Sequence, residues 1–180
     1  IEAAFPNLRK RAEHNRDVLK EYGEGTAEGY YALLQQDMPP DARHVRIHLG
    51  GDFFDQEYFD GWLLFIRARP DVMFYAYTKS LPFWVARLDV IPDNLILTAS
   101  RGGNFDHLID EYDMKDATVV LHPEEAVALG LEIDKDESRA MDPEVGAFAL
   151  LIHGGQSPGS EASVAQKRLR KEKIPYSYAS

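Results

Sequence analysis

Five short apolar segments, separated by segments of helical character, constrain the fold of this 180-residue chain more than any other feature. They are rich in Val, Ile, Leu, Phe and Tyr, as β-strands are. The last three are almost continuously apolar, which is typical of strands buried on both faces of a parallel sheet. We therefore predict strands at 44–49, 72–77, 95–98, 118–121 and 148–152.

The first strand differs from the others because its side chains alternate in polarity. Val45, Ile47 and Leu49 are apolar, whereas Arg46 and His48 between them are polar. Such alternation is expected of a strand with one polar face. The first strand therefore lies at an edge of the sheet, or directs its polar residues into a site.

A helix is predicted after every strand, at 56–68, 83–88, 104–112, 123–129 and 159–171. Short loops and the lack of two-residue hairpin turns favour right-handed βαβ crossovers. Five such units are too few for a closed eight-stranded barrel. The predicted fold is α/β, with a mostly parallel sheet forming a partial (β/α) barrel or an open sheet.

Length and composition limit the organisation of the chain. A length of 180 residues predicts a single α/β domain over 1–180, with an N-terminal helical segment at 1–40 and a tail at 172–180. The charged segment 132–145 has no clear period and is predicted to be a loop. No apolar run approaches the roughly 20 residues of a membrane helix, so we expect a cytoplasmic protein without membrane contact.

Cysteine and charge exclude several classes of function. The chain has no Cys, which removes disulfides, thiolate zinc sites, Cys nucleophiles and Cys-ligated iron–sulfur clusters. Its 30 acidic and 20 basic residues give a net charge of −10, which argues against a broad face for duplex DNA.

The candidate site residues follow the predicted strands. Ligands of parallel α/β sheets bind at the carboxyl ends of the strands. In this chain all five carboxyl ends carry glycines or polar groups: Gly50, Gly51 and Asp52, then Thr78 and Lys79, then Ser100 and Arg101, then His122, and finally His153. We predict a ligand pocket at this edge of the sheet.

Residue chemistry suggests how the first two strand ends could bind a ligand. Gly50 and Gly51 let the backbone approach a ligand closely, and Asp52 could bind a cationic group. Alternatively the glycines only form a turn and Asp52 caps the next helix. Lys79, beside the Thr78 hydroxyl, could bind a phosphate or a carboxylate, pair with Asp52, or be an ordinary surface lysine.

The remaining strand ends allow further chemistry. The segment Ser100-Arg101-Gly102-Gly103-Asn104 could cradle an anion with its backbone amides, or form a plain turn. His122 and His153 could act as acid–base groups or, with Asp52, support metal-dependent hydrolysis, although a histidine at the end of a strand more often has a structural role. No residue is assigned as a metal ligand.

Three motifs resemble a family of bacteriophage proteins called gene product 88. They are His48-Leu49-Gly50-Gly51-Asp52-Phe53-Phe54, Phe74-Tyr75-Ala76-Tyr77-Thr78-Lys79-Ser80 and Leu150-Leu151-Ile152-His153-Gly154. The resemblance implies a distant similarity to radical S-adenosylmethionine proteins. It also implies that Gly50-Gly51-Asp52 stands where those proteins bind the amino group of the methionine moiety. By the same analogy Thr78, Lys79 and Ser100 would line the pocket, and Arg101 would meet the carboxylate.

The absent cysteines separate this chain from that chemistry. Either a cysteine-bearing segment lies outside this sequence, or the scaffold is used without a cluster. Our leading hypothesis is a phage-encoded protein of the host cytoplasm that binds a small anionic or nucleotide-like ligand, with S-adenosylmethionine as one candidate cofactor. The alternatives are a non-enzymatic protein that binds a host or phage partner and, third, a metal-dependent hydrolase. The sequence does not decide whether the protein is an enzyme.

Overall fold

One sheet of five parallel strands forms the centre of the computed structural model, which describes residues 6–174. The strands are β1 (His44–Ile47), β2 (Met73–Thr78), β3 (Leu95–Ser100), β4 (Asp116–Val120) and β5 (Phe148–Leu151). Their order in the sheet is their order in the chain, and the sheet curls into an open half-barrel. The predicted α/β fold with a partial barrel is confirmed.

Seven α-helices accompany the sheet within residues 6–174. They are α1 (Pro6–Tyr22), α2 (Ala27–Asp37), α3 (Gln56–Arg67), α4 (Leu81–Val85), α5 (His107–Glu111), α6 (Pro123–Ala128) and α7 (Glu161–Lys171). Thr26 caps α2, because its hydroxyl accepts a hydrogen bond from the Gly29 amide at 3.1 Å. Asp55 caps α3 in the same way through the Tyr58 amide at 2.8 Å.

The helices cover the convex face of the half-barrel, and alternate strand residues reach them. Phe74 and Ala76 of β2 join a large core with the aromatic side of α3, while Ala149 and Leu151 of β5 pack against Leu169 of α7. Burial of these apolar side chains from water stabilises the layered arrangement. The helices also set the position of the loops that follow each strand.

The charged segment predicted to be a loop over 132–145 extends to residue 147 and crosses the concave face. Ile133 forms one isolated bridge with Ala149, and Ala140 packs in a core cluster with concave-face residues such as Tyr75 and Phe148. The Lys115 ammonium donates to the carbonyl oxygens of residues 139, 142 and 145 at 2.7, 3.0 and 2.7 Å. We call residues 132–147 the concave segment.

Most element boundaries differ from the sequence prediction by a few residues, and side-chain hydrogen bonds account for two of these differences. β4 begins at Asp116 rather than at Thr118, because the Asp116 carboxylate is buried against Arg101 at 2.7 Å and tolerates a sheet position. α5 begins at His107 rather than at residue 104, because Asp106 holds the preceding residues in a turn.

No helix within residues 6–174 is long and apolar enough to cross a membrane. Most of the predicted tail, from residue 175 onward, lies outside the described residues. Ile174, at the end of the described chain, packs partly buried against the core beside α7.

Candidate functional site

Asp52 joins the ends of the first two strands. Its Oδ1 atom accepts hydrogen bonds from the Phe53 amide at 2.8 Å and the Thr78 hydroxyl at 2.6 Å, and its Oδ2 atom accepts from the Lys79 amide at 2.6 Å. Thr78 is almost fully buried, and its hydroxyl also accepts from the Ser80 amide at 2.9 Å. The structure thus brings Asp52, Thr78 and Lys79 together, with both carboxylate oxygens engaged by the protein itself.

Lys79 continues this network to the end of β3. Its ammonium donates to the carbonyl oxygens of Ser100 at 2.6 Å and Arg101 at 2.7 Å. Burial lowers the pKa of the Lys79 ammonium, and the carboxylates of Asp106 and Asp52 oppose the shift. The Lys79 side chain therefore binds the backbone at the carboxyl end of β3, and these hydrogen bonds use part of its donor capacity.

The loop after β3 holds a carboxylate of its own. The amides of Gly102 and Gly103 donate to Asp106 at 2.8 and 2.9 Å. Burial would raise the pKa of Asp106, but these two amides and Lys79 outweigh it and leave the pKa below its usual value. The backbone amides predicted to bind an external anion therefore bind the Asp106 carboxylate of the protein itself.

Arg101 points to acidic residues of the protein. Its guanidinium donates to Asp116 at 2.7 Å and to Asp110 at 2.8 Å, and these bonds raise the pKa of Arg101. Asp116 is almost fully buried, so the pair holds the start of β4 against the end of β3. Both guanidinium contacts are structural in this arrangement.

The two histidines lie at the other side of the sheet. His122 and His153 follow the adjacent strands β4 and β5, three and four strands away from Asp52. At the usual strand spacing His122 is about 14 Å from the end of β1, measured along the sheet. No group of three or more His, Asp or Glu side chains in residues 6–174 is placed to hold a metal ion. Asp52, His122 and His153 therefore form no three-ligand centre.

A cavity of about 440 Å³ opens at the carboxyl end of β1. Its lining includes His48 and Gly50-Gly51-Asp52, together with Phe53, Phe54 and Tyr58 from the start of the βα unit. Helix α1 closes the opposite side with Glu13, Asn15, Arg16 and Leu19. We call this space the His48 cavity. It includes three of the nine predicted site residues.

His48 is held in an unusual conformation at the mouth of β1. Its φ angle is 61°, in the left-handed region that non-glycine residues rarely adopt. The Nε2 atom lies 3.1 Å from the Tyr58 hydroxyl, and the ring contacts Phe53 edge-to-face at 4.8 Å between centroids. Strained backbone is concentrated at functional sites, so this conformation marks His48 as a candidate ligand-binding residue.

The second ring nitrogen of His48 is an unsatisfied polar atom. Nδ1 is shielded from solvent and has no hydrogen-bond partner among the described residues. Burial lowers the pKa of His48, and the Asp52 carboxylate opposes this shift in part, so the imidazole is neutral near pH 7. A neutral imidazole presents one donor and one acceptor, which suits a polar group of a small ligand.

Aromatic rings supply the apolar wall of the His48 cavity. Phe54 and Tyr58 stack with their centroids 4.4 Å apart at an interplanar angle of 10°, and Lys20 lies 5.3 Å from the Phe54 ring. The alternating polarity of β1 is the sequence signal that could have identified His48. The contribution of α1 was missed, because the position of this helix opposite the end of β1 has no local signature.

The comparisons with known proteins give one match. A family model described as gene product 88 matches residues 1–172, almost the full chain. No curated protein sequence matches the chain. No solved structure matches it either.

Proposed function

This chain belongs to the gene product 88 family of bacteriophage proteins, and from that premise we propose that it binds a small nucleotide-like ligand in the His48 cavity. The observation that carries the proposal is the conjunction of that cavity with the left-handed backbone of His48 in its wall. Strained backbone is concentrated at functional sites, so its position in a cavity wall favours a ligand there.

Size and lining support a ligand of this class. Pockets for small molecules commonly enclose about 300–1,000 Å³ and combine apolar walls with a few polar groups. The cavity of about 440 Å³ fits this range. Phe54 lines the cavity with an aromatic ring, while the backbone around Gly50-Gly51 offers hydrogen-bonding groups. Such a wall suits a nucleobase better than a compact ion.

The charges refine the predicted ligand. Lys79 and Arg101, proposed from the sequence as anion-binding groups, donate to carbonyl and carboxylate oxygens of the protein. The lining of the His48 cavity contains one Arg, Arg16, and the acidic residues Glu13 and Asp52. We therefore expect the ring, rather than a phosphate group, to supply most of the affinity.

A thermal-shift experiment tests the proposal. The panel contains S-adenosylmethionine, adenosine, other nucleosides, nucleotides and inorganic phosphate. A ligand at 100 times its Kd stabilises a protein by about 2.7 kcal/mol. For a protein of this size that is a rise in Tm of about 5–10 °C. We expect a saturable rise with at least one nucleoside or nucleotide, and little with phosphate alone.

Two glycine substitutions localise the binding. Gly50 lines the cavity, and a Cβ added there meets no atom within 4 Å at a φ angle that other residues adopt. Gly146 has the same freedom outside the cavity and is the matched control. Gly50→Trp should abolish the ligand-induced shift without changing the Tm of the free protein, and Gly146→Trp should preserve it. Absence of a shift with every compound, or a shift that Gly50→Trp leaves intact, would refute the proposal.

A further inference from the structure

The concave face of the half-barrel contains a partly satisfied cation, Arg46. Its side chain extends from β1 with 22% of its surface exposed, and its guanidinium lies 5.1 Å from the centre of the Tyr77 ring. The Nε atom is buried and finds no hydrogen-bond partner within residues 6–174. A buried guanidinium requires an anion, because leaving its charge uncompensated is costly.

Glu137 of the concave segment supplies that anion. Its carboxylate accepts hydrogen bonds from Arg46 Nη1 and from the Tyr75 hydroxyl. Burial raises the pKa of Tyr75, and Glu137 raises it further, so the hydroxyl remains a donor. Arg46 and Tyr75 thus converge on one carboxylate, which is how proteins bind carboxylate and phosphate groups of ligands.

The backbone around Glu137 suggests that this contact can open. Glu137 has a φ angle of 66°, a left-handed conformation that costs free energy for a residue with a side chain. The flanks of the segment are fixed independently: Ile133 bridges to β5, and Lys115 holds three carbonyl groups between residues 139 and 145. Only the turn that carries Glu137 needs to move for the carboxylate to leave.

We propose that Arg46 and Tyr75 form an anion-binding site on the concave face, and that Glu137 is an internal ligand which an external carboxylate or phosphate group displaces. Solvent reaches the site, since the Glu137 side chain is 16% exposed. The buried Asp134 carboxylate lies nearby and repels an incoming anion. It accepts hydrogen bonds from the amides of residues 136 and 140. This site is separate from the His48 cavity and does not depend on the function proposed for it.

The test compares two matched glutamine variants. Glu137→Gln removes the internal anion and keeps its shape, so the affinity for an external anion should rise. Glu132→Gln is the control, because Glu132 lies on the same segment but pairs with Arg139 and is 74% exposed. Calorimetric titration with inorganic phosphate, at constant ionic strength, should give Glu137→Gln a Kd at least about tenfold below that of the wild type. Glu132→Gln should resemble the wild type.

A double variant and a second anion complete the experiment. Adding Arg46→Met to Glu137→Gln should abolish the gain, since the guanidinium is the principal donor. Acetate in place of phosphate shows which group the site prefers, and tighter binding of either anion by Glu137→Gln supports the site. Equal affinity for both anions in the Glu137 and Glu132 variants, or a gain that survives Arg46→Met, would overturn the proposal. If Glu137→Gln does not fold, Glu137→Asp retains the charge, shortens its reach and should show the same change to a smaller extent.

Discussion

Replacement of Asp52 by alanine should destabilise the protein whether or not a ligand is present. The carboxylate receives hydrogen bonds from Phe53, Thr78 and Lys79, at 2.8, 2.6 and 2.6 Å. These bonds attach the loop after β1 to the end of β2. Asp52→Ala removes all three and leaves the buried Thr78 hydroxyl without its acceptor.

The magnitude follows from the number and type of these bonds. A hydrogen bond to a charged group contributes about 1.5–3 kcal/mol. The three bonds share one carboxylate and are therefore not additive, and water can replace part of the loss at this half-buried site. We expect Asp52→Ala to reduce the free energy of unfolding by about 3 kcal/mol. In a protein of this size that corresponds to a fall in Tm of about 6–12 °C.

Urea denaturation of a double-mutant cycle tests this reasoning. Thr78→Val removes one of the three donors with little change in shape, and should cost about 1.5 kcal/mol. The double variant should lose at least about 1 kcal/mol less than the sum of the single losses. Asp136→Ala is the control, because that carboxylate is exposed and accepts only local hydrogen bonds, from the amide and the hydroxyl of Ser138. A loss below about 1 kcal/mol for Asp52→Ala, or full additivity with Thr78→Val, would show that Asp52 does not connect the strands.

Three further predictions concern packing, hydrogen bonding and pH. A Cβ at Gly61 would lie 2.6 Å from Tyr30 Cβ. Urea denaturation should therefore show that Gly61→Ala lowers the free energy of unfolding by about 2 kcal/mol, despite the roughly 1 kcal/mol gained in helix propensity. The control Gly146→Ala should leave the free energy of unfolding unchanged. Asn94 donates from Nδ2 to three carbonyl oxygens, one in the last turn of α3 and two in the loop before β2, at 3.2, 3.0 and 2.9 Å. Asn94→Ala should therefore cost about 2 kcal/mol by the same measurement, and a neutral result would contradict these bonds. Burial lowers the pKa of His48, so the unfolded chain binds more protons than the folded protein at acidic pH. The protein should therefore lose stability as the pH falls below about 6.5. Melting curves recorded from pH 7.5 to 5 should show a smaller loss of stability for His48→Gln than for the wild type, and an equal loss would exclude His48 as the cause.

The strands could be predicted because their signal is local. β5 was expected at 148–152 and spans Phe148–Leu151, since a strand covered on both faces needs a continuous apolar run. Asp116 shows the limit of this rule. A charged residue normally ends a strand prediction, but Arg101, fifteen positions earlier, satisfies the Asp116 carboxylate inside the fold. Pairing over that distance leaves no trace in a hydrophobic pattern.

One part of the candidate site, the end of β1, could be predicted from the sequence, but not the use of the charges at the other strand ends. Polar groups do cluster at the strand ends, and Gly50, Gly51 and Asp52 do line a cavity. The direction of a side chain depends on its tertiary neighbours, however, and Lys79 turns to carbonyl groups of β3. The wall of the cavity that α1 forms could not be predicted either, because helical periodicity indicates that a face is buried without identifying what covers it.

The strand order has a consequence for how the chain is made. Each strand of the half-barrel pairs with the strand synthesised just before it, from β1 to β5. On the ribosome, every new strand therefore emerges beside a completed edge, and no gap in the sheet must wait for a later segment. Pairing between neighbours in sequence involves short loop closures, which form faster than distant contacts. The half-barrel can thus grow during translation, one βα unit at a time.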